Sequence, residues 1–456
     1  MLKKLQWILV CTATLSAGSA FAQVGLLEIY QLALRSDPAL REAEAIYLAT
    51  RETKPQARSN YLPNVSLSGS TDSSFQERDG TFGFGAVDFG QGDTSRSHND
   101  GANLNVVQTL FDMSSLRQLR QADKVVAQAE INLEAARQDL LVRVSGAYFN
   151  VLAAEALLEA ETASREAIAR QLEQAQRRFD VGLIAITDVQ QAQAAYDIAV
   201  ATEIGAQRTL ATQQEFLREI TGEYVTDLRG PTGELELLPP EPPSPDDWVD
   251  LAMQQNLVLA ASRIGTEIAQ DDIGILRAAR FPTLELSGGY NTGSSENRSV
   301  TNQLDGSLEY SRRLTDTDRH TWSIDLRFPI YTGGFNSSRI QQAVYQHRAA
   351  QESLERIARQ TERQTRDAYL GVTSEISRVQ ALRQAVESNR TALRATEAGF
   401  EVGTQTTVDV LAAQDSLRRA ETNYAISRYD YIINLLALRE AAGSLSEENI
   451  ATVDGW

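Results

Sequence analysis

Cysteine is all but missing. The one residue, Cys11, lies in an N-terminal stretch where Lys3 and Lys4, an apolar run over 5–15 and the small-residue site Ala20-Phe21-Ala22 compose a secretory leader, 1–22, cleaved before Gln23. The bulk of Val10 and the position inside the apolar run exclude a lipid anchor at Cys11. The mature chain is therefore expected to lack disulfides, thiol nucleophiles and cysteine metal ligands. Histidine is scarce too. Of His98, His320 and His347, the first two fall in polar stretches at equivalent points of the repeat; no carboxylate cluster at ligand spacing accompanies them, so solvated loop histidines are expected there rather than a metal pair across a hairpin mouth. No Gly-rich phosphate loop, GxSxG or HExxH occurs, which leaves no basis for an enzyme or a cofactor. Basic residues are outnumbered: losing Lys3 and Lys4 with the leader takes the formal charge from −18 to −20. That balance opposes nucleic acid as a partner, since phosphate binding draws on clustered Lys and Arg. Beyond the leader there is no apolar run of about 18 residues, so no membrane-crossing helix is expected. A secreted chain of this kind is either soluble or a β-barrel, whose strands carry a weaker hydropathy signal.

Proline is absent over 64–230 and after Pro329, and six of the eleven prolines crowd into 231–245. That segment separates two copies of one unit. Arg177-Arg178-Phe179-Asp180-Val181-Gly182 matches Ala398-Gly399-Phe400-Glu401-Val402-Gly403 at a spacing of 221; Ala147-Tyr148 and Gly222 match Ala368-Tyr369 and Gly443 at the same spacing. Leu62-Pro63 matches Phe281-Pro282 at 219, and Leu110-Phe111-Asp112 matches Ile330-Tyr331-Thr332 at 220. One offset held over so many landmarks marks an internal duplication. The expected organisation is a leader, 1–22; a first repeat, 23–230; a Pro-rich, extended linker, 231–245; a second repeat, 246–445; and a short tail, 446–456.

Each repeat reads as helix, strand, long polar loop, strand, very long helix, turn and helix. Proline-free stretches suit uninterrupted helices, because an interior proline costs about 3 kcal/mol. In the first repeat Leu116, Leu119, Ala122, Val126, Ala129, Leu133, Ala136, Leu140, Val144, Ala147, Val151, Ala154 and Leu158 step by three or four, the seam of a coiled coil. The helical hairpins are expected at about 114–221 and 336–442, each long helix running about 100 Å at 1.5 Å per residue. Val181-Gly182-Leu183 and Val402-Gly403-Thr404 break them, with Thr187 and Thr406 as candidate caps of the returning helices.

The strand hairpins are expected at about 62–112 and 281–331. Val65 and Leu67, then Leu104, Val106 and Leu110, then Leu284 and Leu286, then Trp322, Ile324, Leu326 and Phe328 alternate with polar residues, although Val107 and Gln108 blur the second strand. Strands of about ten residues, joined by polar loops over 72–101 and 291–320, suit a tilted crossing of a bilayer with this apolar set facing lipid. Four strands cannot close a barrel, and an open edge in lipid leaves backbone groups unpaired, so several protomers are expected to share one barrel. The periodicity does not fix how many.

These motifs, with Gln108-Thr109-Leu110-Phe111-Asp112-Met113-Ser114 and Ala147-Tyr148-Phe149-Asn150-Val151-Leu152, resemble the TolC family of outer-membrane channels over about 26–450. The resemblance implies a mainly α chain with a membrane β part. It implies a homotrimeric twelve-stranded β-barrel continuous with a periplasmic coiled-coil α-barrel, the linker lying in an equatorial belt. It implies a passive exit duct for efflux and type I secretion, working with a periplasmic adaptor (membrane fusion) protein and an inner-membrane transporter of RND, ABC or MFS type. In that family the periplasmic end is closed by polar contacts between hairpins; Gln171, Thr187, Asp188 and Glu397 match its latch, whereas Phe400 stands for a tyrosine and Gln405 for an arginine. Asp409 matches one aspartate of the aperture, and Ala412 replaces the second. A closed state held less tightly than in the archetype is therefore expected, with adaptor hairpins docking at the tips Val181, Gly182, Leu183, Val402, Gly403 and Thr404. The competing expectation is a coiled-coil envelope scaffold or adaptor without a pore.

Overall fold

A computed structural model describes residues 23–84, 87–230, 235–302 and 307–454. The expected leader, with Cys11, and Pro231 of the linker lie outside the described residues. The chain runs α1 (Leu26–Ser36), α2 (Pro38–Arg51), α3 (Thr53–Ser59), β1 (Asn64–Phe84), β2 (Val87–Phe111), α4 (Met113–Asp180), α5 (Ile186–Thr221), α6 (Pro245–Gln255), α7 (Leu257–Ala278), β3 (Thr283–Asn302), β4 (Leu308–Arg327), α8 (Phe335–Glu401), α9 (Thr407–Ala441) and α10 (Glu447–Asp454). Helices, a strand hairpin, a very long helix and a returning helix thus occur twice, and the sequence starts of both long helices lie one residue inside the observed ones.

Two compact units divide the chain, and each draws on both halves of the sequence. One comprises the described residues of 23–44, 133–257 and 358–454. Its core gathers Leu26, Ile29, Tyr148, Leu217, Trp248, Tyr431, Ile432, Leu436, Leu438 and Ile450. Asp37, 3% exposed, anchors the start of α2: its carboxylate accepts the Leu40 N–H at 2.9 Å and pairs with Arg143 of α4 at 2.9 Å. Aromatic donors fasten the linker here. Trp248 Nε1 donates to the Pro242 carbonyl at 2.8 Å, Tyr369 to Pro243 at 2.5 Å and Tyr431 to Leu238 at 3.0 Å. Every expected seam position of α4 is buried or partly covered. α4 also contains a window apolar and long enough to cross a membrane by composition, but more than half of it is buried in protein, which marks it as core.

The other unit comprises 45–132 and 258–357 and holds the sheet, antiparallel in the order β1-β2-β3-β4. Here α7 lies along the first part of α4. Gln121 donates to Ile268 O at 3.0 Å, Gln128 to Ala261 O at 2.9 Å, and Lys124 pairs with Glu267 and Asp271 at 3.1 and 2.8 Å. The strand-to-helix turns differ between the copies. Asp112 caps α4 by accepting from the Ser114 N–H and the Ser114 and Ser115 hydroxyls, whereas Gly333 and Gly334, at φ 63° and 86°, turn the chain into α8.

The strands correct the sequence expectation. They are 20 to 25 residues long, not about ten, and the expected polar loops over 72–101 and 291–320 are mostly paired strand: Ser73 lies opposite His98, and Ser294 opposite Asp316. Serine, threonine and asparagine hydroxyls and amides bond across the ladders, as Ser74 does with Ser97 and Ser299 with Ser311, so polarity here reflects surroundings rather than loop conformation. His98 and His320 accordingly sit on strands. His98 is in register with Glu296 and His320 with Tyr290, six positions apart along β3, so the two rings do not meet.

Registering the strands sorts their side chains into rows. On one face Val65, Val106, Gly288 and Trp322 form a row, with Leu67, Leu104, Tyr290 and His320 above it and the Leu286–Ile324 and Leu284–Leu326 pairs below. Leu67 is 77% and Trp322 75% exposed; the Trp322 ring covers Gly288, where an added Cβ would meet it at 2.5 Å. A bulge at Leu110 makes Phe111 the partner of Leu284, so the apolar face resumes one residue later; the blur at Val107 and Gln108 is real, since Gln108 lies opposite Leu286 on the apolar face and Val107 opposite Ser287 on the polar one. Phe328 lies just past β4 and is exposed. The opposite face is polar over most of its length, with rows such as Ser66–Asn105–Gly289–Thr321 and Ser68–Asn103–Asn291–Arg319, and Val107 is the apolar exception beside them.

Candidate functional site

The tips of the two helical hairpins, both in the first unit, carry most of the expected site residues. Each long helix ends on a left-handed glycine, Gly182 at φ 78° and Gly403 at φ 80°, a conformation that glycine adopts without strain. The Leu183 N–H bonds back to Arg178 O, and Thr404 N–H to Gly399 O, both at 2.8 Å, which closes the last turn as a helix-ending motif does. Val181, Leu183 and Val402 are 69, 72 and 75% exposed: these turns hold apolar side chains out in the open.

The returning helices start differently. Thr406 caps α9: its hydroxyl accepts the Asp409 N–H at 3.3 Å, and the Asp409 carboxylate accepts the Thr406 N–H at 2.8 Å and its hydroxyl at 2.7 Å. These bonds, the hydroxyl first, hold the Asp409 carboxyl below the usual carboxylate range. Thr187 does not cap α5. Ala185 stands there instead, and only the return half of the box forms, from Ala185 N–H to Asp188 at 3.3 Å. Proximity to the break favoured Thr187, but α5 begins one residue before it.

Between the hairpins runs a groove of about 510 Å³ lined by α4, α8 and α9, and it collects Gln171, Glu397 and Phe400 from the expected latch. The carboxamide oxygens of Gln171 and Gln414 are buried there without partners. Glu161 of α4 pairs with Arg418 of α9 at the same wall, and Arg418 also holds Asp415 at 2.7 Å. Arg178 lies 4.5 Å from the centroid of the Phe400 ring. Gln405 folds onto its own hairpin: its Cγ would be 2.7 Å from a Cβ placed on Gly399, and its N–H bonds to Gly399 O. Asp409 and Ala412 are exposed on the first turns of α9. Glu161 and Arg418 carried no sequence signal, because each acts on a helix far away in the chain and breaks no periodicity; Arg178 stands in the repeated tip motif, which does not reveal Phe400 as its partner. No group of His, Cys, Asp and Glu that could hold a metal occurs among the described residues.

Residues 29–223 and 248–444 match the family described as Outer membrane efflux protein. Outer membrane protein TolC of Vibrio cholerae serotype O1 is 36% identical over 455 residues, spanning 99% of this chain and 98% of its own; TolC of Escherichia coli K12 is 34% identical, spanning 99% and 89%. The alkaline protease secretion protein AprF of Pseudomonas aeruginosa is 30% identical over 99% of this chain and 91% of its own. Among solved structures, the transmembrane channel CusC superposes with a TM-score of 0.72 at 18% identity, covering 93% of this chain and 95% of that one. It shares the fold.

Proposed function

This chain belongs to the outer membrane efflux protein family, and we propose on that premise that it is an exit duct of the outer membrane, serving efflux and type I secretion, whose gate lies at the hairpin tips. It is a conduit and catalyses no reaction. Family members operate with adaptors and inner-membrane transporters.

The observation that carries the proposal is the sheet. Its four strands present an apolar face and a hydroxyl- and amide-rich face, and β1 and β4 are open edges. In lipid each unpaired backbone group costs several kcal/mol, and the smallest single-chain barrels need about eight strands. Three protomers joined β4 to β1 supply twelve strands, with Val65, Leu67, Leu104, Val106, Leu284, Leu286, Trp322, Ile324 and Leu326 towards lipid and the Ser/Asn/Thr rows towards water. Planar-bilayer conductance of the purified oligomer, with its mass measured alongside, tests this. A monomer that stays in solution without detergent and passes no current overturns it.

At the hairpin tips Asp409 lines the aperture as a single carboxylate ring, since Ala412 supplies none. The latch works without an ion pair between Gln405 and Asp188, both of which satisfy their own tips in this structure. The exposed Val181, Leu183 and Val402 give an adaptor hairpin apolar purchase, and binding there opens the aperture. The transporter behind it, of RND, ABC or MFS type, selects the cargo.

A further inference from the structure

The apolar face of the sheet does not end in a neutral rim. Continuing up the same face, Arg96 of β2 stands opposite Arg298 of β3, and Arg298 opposite Arg312 of β4, with Phe75 of β1 completing the row. Like charges directly opposite each other destabilise a sheet, so three adjacent guanidinium groups need anions. One carboxylate of the protein answers: Glu296, one row below, lies 2.5 Å from Arg298 and 2.7 Å from Arg312. Arg96 packs over the Phe75 ring at 5.4 Å instead, with no carboxylate partner among the described residues. The row lines a groove of about 510 Å³ together with Thr94, Val300 and Tyr310. Tyr310 and Leu314 beside it are well exposed.

Position identifies the anion. Arg96, Arg298 and Arg312 lie eight residues beyond Leu104, Tyr290 and His320, the top row of the apolar face. At about 3.3 Å per residue and a tilt of 35–45°, they stand about 20 Å above that row along the membrane normal. This level is outside the hydrocarbon and beside the sugars of a glycolipid leaflet. Guanidinium forks bind phosphate in bidentate fashion, and exposed aromatic rings pack against sugar faces.

We infer that Arg96, Arg298 and Arg312 form an outward-facing site for the phosphorylated saccharide headgroup of an outer-leaflet glycolipid. The inference rests on the proposed orientation, with the apolar face towards lipid. The site fixes the height of the barrel in its leaflet and supplies the counter-charge the row lacks.

The test uses the full-length oligomer in detergent and fluorescent lipopolysaccharide as probe, intact or stripped of phosphate with hydrofluoric acid. The wild type is expected to bind intact lipopolysaccharide in a salt-sensitive manner, and the dephosphorylated form at least tenfold more weakly. The triple variant Arg96→Gln/Arg298→Gln/Arg312→Gln is expected to lose the same factor, while Arg313→Gln, on the opposite face beside Asn297, keeps wild-type binding. Equal binding by the wild type and the triple variant overturns the site, as does complete displacement by millimolar inorganic phosphate. Conductance in phospholipid bilayers reports on the duct separately. The triple variant is expected to conduct as the wild type does, so a wild type that never conducts counts against the duct and not against the arginine row.

Discussion

Arg178, at the end of the first long helix, holds its guanidinium over the ring of Phe400, at the end of the second, 4.5 Å from the centroid. One contact thus joins the two hairpin tips beside the groove that Gln171, Glu397 and Phe400 line. Exposed cation–π pairs contribute about 0.5–1 kcal/mol, and in the proposed trimer three equivalent copies act on one aperture. Arg178→Ala and Phe400→Leu are each expected to raise the resting single-channel conductance, and Phe400→Tyr to leave it unchanged. An unaltered resting conductance in both disruptive variants would remove this pair from the gate. Adding a cation at the neighbouring tip, Gln405→Arg, is expected to lower the resting conductance by pairing with Asp188.

In the proposed duct, selectivity at the aperture follows from Asp409. Hydrogen bonds from the Thr406 hydroxyl and N–H keep its carboxyl below the ordinary value of about 3.9. The proton is therefore taken up only at lower pH than usual, and the ring stays charged down to about pH 4. Cation preference, measured as the reversal potential in a salt gradient, should be flat from pH 7 to about pH 4 and collapse in Asp409→Asn. Ala412→Asp should add a second ring and strengthen block by multivalent cations; identical block in Ala412→Asp and wild type would place the constriction elsewhere.

Periodicity made the long helices, the duplication and the apolar strand face legible, because each is a repeated pattern in one chain. Tyr148 and Tyr369, matched at a spacing of 221, even do equivalent jobs. Tyr148 donates to the carbonyls of Val24 and Arg229, and Tyr369 to that of Pro243, so each copy fastens an irregular segment to its long helix. What could not be read was anything that depends on partners across the chain. The strand extensions over 72–101 and 291–320 look like loops until their hydroxyls are paired, and the slip at Leu110 needs β3 beside it. The Arg96–Arg298–Arg312 row is invisible in sequence for the same reason: its members are scattered over two repeats and meet only through register.

The pair between Asp37 and Arg143 sets an acid limit on the helical unit. Burial would push the Asp37 carboxyl up, but the Arg143 hydrogen bond and the Leu40 N–H together outweigh it and hold the group below its usual range. A carboxyl depressed in the folded state contributes stability that is present above the unfolded value, about 3.9, and is lost as pH falls through the folded one. Heat stability of the oligomer should accordingly be level above pH 5 and fall below about pH 4. Asp37→Asn, which leaves Arg143 with Asp139 alone, should cost about 2–3 kcal/mol at pH 7 and flatten the acid slope. A wild-type slope retained in Asp37→Asn would assign acid sensitivity to other carboxylates.

The duplicated glycines Gly222 and Gly443 separate backbone strain from crowding. Both end a returning helix in the left-handed region, at φ 77° and 73°, so alanine carries a conformational penalty of about 1–2 kcal/mol at either site. Their surroundings differ. A Cβ on Gly222 would sit 3.5 Å from the Ser36 Cβ, an ordinary contact, whereas one on Gly443 would overlap the Gln255 carbonyl and come within 2.9 Å of the Asn256 Cα. Backbone at the junction of α6 and α7 cannot step aside as a flexible side chain would, and Asn256 is further tied there by its bond to Ala441 O at 3.0 Å. Gly222→Ala should therefore lower the dissociation temperature of the oligomer by a few degrees, and Gly443→Ala should lower it much further or abolish assembly. If the two variants melt together, the close approach at Gly443 exerts no constraint of its own and strain at the helix end accounts for both.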